Sequence, residues 1–150
     1  MADFGDTTLH AVLLLATWSG ALALVGGRRG SPRLVHAARL ALYATAAMAS
    51  LAVVVLAYEF VVSDFSLTYV HRYSDRTMPL FYKLTSVWGG QEGSLLLWVW
   101  LLAAMGAAAV HTTRERLQDL LPHVLTVLSA VLVFFCVVML LASNPFETYL

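Results

Sequence analysis

The chain is poor in charge. Only 12% of its 150 residues are Asp, Glu, Lys or Arg, against 60% that are hydrophobic. Soluble domains rarely carry that ratio, and the apolar residues fall in long blocks rather than amphipathic stripes. Both features point to a polytopic membrane protein. Formal net charge is zero, which argues against a nucleic-acid partner. The single cysteine, Cys136, lies inside an apolar run. Alone, it makes no intrachain disulfide and no cysteine metal cluster. The opening MADFGDTTLH holds Asp3 and Asp6 but no Lys or Arg. A cleavable signal peptide needs a basic segment ahead of its apolar core, so the first apolar run reads as a retained span.

A helix needs about 20 apolar residues to cross the hydrocarbon core. Four segments meet or approach that length: residues 9–26, 36–62, 94–110 and 120–142. The predicted fold is all-α, a transmembrane bundle of about four spans in one region, 1–150. Pro32 is placed in the loop before the second span, and Pro122 in the first turn of the fourth, where Asp119 is an expected cap. Asn144-Pro145 ends the last span. Arg28, Arg29, Arg33, Arg39, Arg114 and Arg116 fall on one side, and Arg72, Arg76 and Lys83 on the other. Six cations against three orient the N-terminus, the 63–93 loop and the C-terminal SNPFETYL outward.

Ionisable groups are scarce in mid-span too. Transport and proton relay need them at the bilayer centre, yet Arg39, Glu59, His10 and His123 all lie near span ends. Interfacial anchoring is the expectation for each, and a pump or carrier is disfavoured. No Cys-x-x-Cys-His occurs, which excludes covalent haem attachment of the c type. Bis-histidine haem ligation in a bundle needs two imidazoles at matched depth on facing helices. No pair among the five histidines is so placed; interfacial histidine is the favoured reading, and no metal site is expected.

What is abundant sits between the second and third spans. SDFSLTYVHRYSDRTMPLFYKLTSVW alternates aromatic with polar residues. Aromatic faces suit a planar ligand and cations suit carboxylates, while an aromatic belt at the lipid headgroups explains the same pattern. His71, Arg72 and Tyr69 are the candidates for contact with an outer-face ligand. The following WGGQEGSLLLWVW enters an apolar run. One helix from Pro79 to Val110 would be about 48 Å long, well over the ~30 Å core. The chain is therefore expected to bend at WGGQEGS, leaving residues 80–88 along the membrane surface with Lys83 toward water. Glycines permit the bend, and Gly89 with Gly93, or Gly90 with Ser94, are spaced for close helix contact. Trp88, Gly89, Gly90, Gln91, Glu92 and Gly93 are thus the candidate hinge or docking corner.

WGGQEGSLLLWVW, with FSLTYV at 65–70, LFYKLTSVWGG at 80–90 and SNPF at 143–146, resembles the N-terminal region of the CcmF/NrfE family of cytochrome c biogenesis proteins. The resemblance runs through essentially the whole chain. It implies a multi-pass protein of the bacterial inner membrane, with the motif loop in the periplasm. It implies a part in a haem lyase that joins haem to apocytochrome c. The implied partners are the haem chaperone CcmE, CcmH- and CcmI-type proteins, apocytochrome c and membrane lipid. It also implies a haem b at the level of the whole family protein. The family's tryptophan-rich haem motif and its haem-ligand histidines follow the fourth span. No such run occurs here, and none of the five histidines matches a family ligand, so those ligands are expected outside this chain. The sequence is therefore expected to be the N-terminal part of a longer or split protein, not catalytic by itself. The alternative is a small non-catalytic membrane subunit of a respiratory or transport complex.

Overall fold

A computed structural model describes residues 2–113 and 118–148. Among them are six helices: α1 (Ala2–Arg29), α2 (Pro32–Val62), α3 (Thr68–Tyr73), α4 (Leu80–Ser86), α5 (Gln91–Thr113) and α6 (Leu121–Ala142). Four of these, α1, α2, α5 and α6, are long and apolar enough to cross a membrane. The all-α bundle with a surface segment before its third span is as expected. Arg114 and Arg116 lie outside the described residues.

The four long helices form a ring. α1 packs against α2 and α6, and α5 closes the other side against the same two helices. Alternate helices run in opposite directions, giving the bundle two distinct ends. One end holds the α1–α2 hairpin and the start of α6. The other holds the starts of α1 and α5, the ends of α2 and α6, and both short helices.

Small residues let the backbones approach. Ala16 and Ala23 of α1 and Ala38, Ala49 and Ala52 of α2 are fully buried, as close packing between membrane helices requires. Hydrogen bonds supplement them. Ser129 of α6 donates to the Ser19 hydroxyl at 3.1 Å, and Ser19 donates to the Ala38 carbonyl at 2.9 Å. One buried chain thereby ties α6, α1 and α2. The Trp100 indole of α5 donates to Ser50 of α2 at 2.9 Å. Large apolar side chains such as Leu14, Trp18, Trp98, Met105, Phe134 and Leu141 point outward. Hydrocarbon is a suitable surrounding for that surface and water is not.

Several boundaries differ from the sequence-based ones. α1 starts seven residues before Leu9, because Thr7 and Thr8 satisfy their hydroxyls on the carbonyls of Asp3 and Phe4 within the helix. Pro32 is not in a loop but in the first turn of α2, where its missing N–H has no helical partner to lose. The expected Asp119 cap is absent: Leu120 occupies the cap position of α6, without a side-chain bond. At 31 residues, α2 is about 46 Å long, longer than a perpendicular crossing of the hydrocarbon core needs, and such a helix tilts or extends past it.

Candidate functional site

α2 ends on a left-handed residue, Ser63, with φ 55°. The Ser63 amide bonds the Phe60 carbonyl and the Asp64 amide bonds the Glu59 carbonyl, the double closure of a Schellman stop. A non-glycine residue there is uncommon. Lys83 of α4 secures it, donating to the Ser63 hydroxyl at 2.6 Å. This corrects the expectation that Lys83 faces water: it is 9% exposed, and its ammonium holds α4 onto the end of α2. Glu59, expected to anchor at the interface, is instead 1% exposed. Neither of its carboxylate oxygens has a hydrogen-bond partner among the described residues.

From Ser63 the chain crosses to α3. There Tyr69 turns inward, with 2% of its surface exposed. Phe60 meets its ring edge-on at 5.4 Å and Tyr73 lies 5.0 Å away. The Tyr69 hydroxyl donates to the Val87 carbonyl at 3.0 Å and accepts the Gly90 amide proton at 3.1 Å. Burial pushes the phenol's pKa above its usual value, against a smaller opposing pull from the Gly90 and Gly93 amides. The hydroxyl therefore stays protonated and keeps donating.

The glycines follow from this clamp. The bend falls at Val87–Gly90, between α4 and α5. A Cβ on Gly90 would come within 2.8 Å of both tyrosine rings, and a Cβ on Gly93 would overlap the Val87 carbonyl. Only hydrogen fits at either place. Gly89 is exposed, and a Cβ there would meet the Ser86 carbonyl at 3.3 Å. So the packed pair is Gly90 and Gly93, three apart, rather than either of the four-residue spacings read from the sequence. Trp88 is 43% exposed and its carbonyl accepts from Ser94 at 3.3 Å. Gln91 is exposed at the first position of α5. Glu92 pairs with Arg72 of α3 at 3.4 Å, and as an acidic residue in a first turn it also complements the helix dipole.

Of the three outer-segment candidates, Arg72 and His71 are exposed and Tyr69 is enclosed. The His71 ring stands edge-on to Phe65 at 6.0 Å, and the Arg76 guanidinium lies 5.7 Å above the same ring. The corner is thus brought together by packing, with Arg72, Glu92, Gln91 and Trp88 on its outer rim.

The C-terminal motif belongs to the same end. Asn144 donates to Asp6 at 2.7 Å and accepts from the Phe146 amide at 3.0 Å. Phe146 is buried on Gly5, where any side chain would collide with its ring. The Thr68 amide bonds the Glu147 carbonyl at 3.0 Å. SNPF therefore ties the start of α1 to the start of α3. In structural terms, sequence reasoning read this motif only as the stop of the last span; the Gly5–Phe146 pair, 141 positions apart, had no local signal.

Three of the five histidines have neighbours that occupy a ring nitrogen. His36 accepts from Arg39, His111 lies near the Tyr43 hydroxyl and His10 sits on the Asp6 carbonyl. No group of three or more potential metal ligands occurs among the described residues. What the corner can do is present a rigid, charged and aromatic rim.

No family model matches the chain. It is 36% identical over 146 residues to the cytochrome c-type biogenesis protein CcmF of Haemophilus influenzae, covering 97% of this chain and 22% of that protein. It is 37% identical over 139 residues to NrfE of the same organism, covering 90% and 22%. The fold superposes on the solved structure of the cytochrome c haem lyase CcmF with a TM-score of 0.91 and 32% identity, over 99% of this chain and 25% of that one. The chain belongs to the CcmF/NrfE family. It spans about a fifth of the length of the curated relatives it matches. Family membership and four apolar helices make it a multi-pass membrane protein.

Proposed function

We propose that this chain forms the N-terminal membrane part of a haem lyase, helping attach haem to apocytochrome c on the periplasmic side of a bacterial inner membrane. The observation that carries the reading is the near-complete structural likeness to CcmF at 32% identity. In this reading the Trp88–Gly93 corner faces the periplasm and docks haem in transit or a protein of the machinery. The partners are a CcmE-type haem chaperone, CcmH/CcmI-type proteins and apocytochrome c. A haem b, if resident, is held by residues outside this chain. The excess of arginine at the α1–α2 hairpin supports the orientation, since cationic loops stay cytoplasmic.

The test is maturation of a reporter cytochrome c in cells whose native protein carries Trp88→Ala or Glu92→Ala, both on the outer rim of the corner. Haem-stained cytochrome is expected to fall several-fold while the protein still accumulates in membranes. Normal maturation in both variants would reduce the corner to packing alone.

A further inference from the structure

The hairpin end of the bundle, remote from the corner, contains a cavity of about 470 Å³. It opens between the α1–α2 hairpin and the start of α6, and both Arg39 and His36 line it. Arg39 donates to His36 Nδ1 at 2.7 Å, which places the proton of the neutral imidazole on Nε2. The Arg39 Nε is buried and has no hydrogen-bond partner among the described residues. No carboxylate among them lies within ion-pair distance of Arg39. A guanidinium does not shed its charge, and a buried donor without an acceptor is costly. An anion in the cavity would answer that charge at the terminal guanidinium nitrogens.

The surroundings add to that demand. Arg28, Arg29 and Arg33 are exposed on the same hairpin. Ser31 caps α2 without using its side chain, and the amides opening α2 add partial positive charge. Asp119 on the opposite wall sets a limit, favouring one negative charge over a polyanion. A second cavity of about 340 Å³ shares Gly27 and Pro122 with the first and extends along the α1–α6 seam past Ala23 and Thr126. Its lining mixes apolar Ala23, Leu24 and Pro122 with Arg28, His123 and Thr126. A cationic cleft beside a partly apolar groove, at the end of a bundle of membrane-crossing helices, suits a lipid headgroup and the start of its chains better than a free ion.

We infer that this cavity binds the headgroup of an anionic phospholipid carrying one phosphodiester charge, with Arg39 as its main contact. The test uses the native protein purified in mild detergent and native mass spectrometry. Phosphatidylglycerol and phosphatidylcholine of matched chains serve as probes. Several-fold greater retention of phosphatidylglycerol is expected, reduced toward the phosphatidylcholine level by Arg39→Gln and unaffected by Arg76→Gln at the other end. Equal retention of the two lipids, or full retention in Arg39→Gln, would overturn the inference. Displacement of the lipid by excess inorganic phosphate would also overturn it, in favour of a free-anion site. Should Arg39→Gln fail to accumulate, Arg39→Lys keeps the charge but loses the planar guanidinium fork, and partial loss of phosphatidylglycerol is the expected result. Unchanged retention in that variant counts against the assignment.

Discussion

The Tyr69 hydroxyl accepts the amide proton of Gly90, 21 residues further along the chain, at 3.1 Å. This contact joins the α3 segment to the start of a membrane-crossing helix. It makes the bend after α4 a fixed corner rather than a free hinge.

Removing the hydroxyl leaves the Gly90 amide and the Val87 carbonyl without their partner in a buried place. Tyr69→Phe is expected to cost about 1–3 kcal/mol, read as a lowered midpoint of thermal unfolding in detergent and faster hydrogen exchange at Gly90. The phenol also carries a pH signature. Its folded pKa is raised above the ordinary value of 10.0. Below pH 10 both states are protonated and nothing changes; above it the unfolded chain ionises first and stability falls. The wild type should lose stability from about pH 10 upward, with a smaller loss in Tyr69→Phe.

The glycines should separate by position. Gly93→Ala drives a methyl into the Val87 carbonyl, which is backbone and cannot swing away. A loss of about 1–3 kcal/mol is expected, as for overpacked sites. Gly89→Ala meets only a tight 3.3 Å contact and should cost less. Equal losses, measured by thermal unfolding of the two purified variants, would contradict the packing described.

The Arg72–Glu92 pair is a minor contributor to stability. Arg72 is 58% exposed and Glu92 19% by side chain. A double-mutant cycle with Arg72→Ala and Glu92→Ala should yield about 0.2–1 kcal/mol of coupling, shrinking with added salt. A maturation defect in Glu92→Ala that far exceeds this loss would indicate contact with something beyond the chain.

Glu59 offers a reversed expectation. A buried carboxylate with no hydrogen-bond donor and with the Asp64 carboxylate nearby is a burden rather than a support. Glu59→Gln, of nearly the same shape, should leave unfolding temperature unchanged or raise it. A clear drop would mean that the carboxyl is held by the neighbouring Asp64 carboxyl or by a group outside the described residues.

Orientation can be read directly. Cys136 is fully buried, so background labelling is low. In intact cells Ser66→Cys should react with an impermeant maleimide, and Arg33→Cys should react only after lysis. The opposite pattern inverts the proposed topology.

The sequence by itself determined the spans, because length and hydropathy are local properties and the bilayer imposes one thickness on every crossing helix. It also located the bend: an uninterrupted helix from Pro79 to Val110 is too long for the membrane, and the glycines mark where it yields. The motif series further sufficed to place the chain in its family. Tertiary structure alone decided which face each polar residue took. Lys83 and Glu59 read as interfacial because charge near a span end usually reaches water, yet α4 packs against α2 and both residues are buried. Tyr69 read as a ligand surface, but Phe60, Val87 and Gly90 enclose it. SNPF acquired its role only when Phe146 met Gly5. These contacts join residues far apart in the chain, and local periodicity carries no record of which distant backbone will supply a partner or a space.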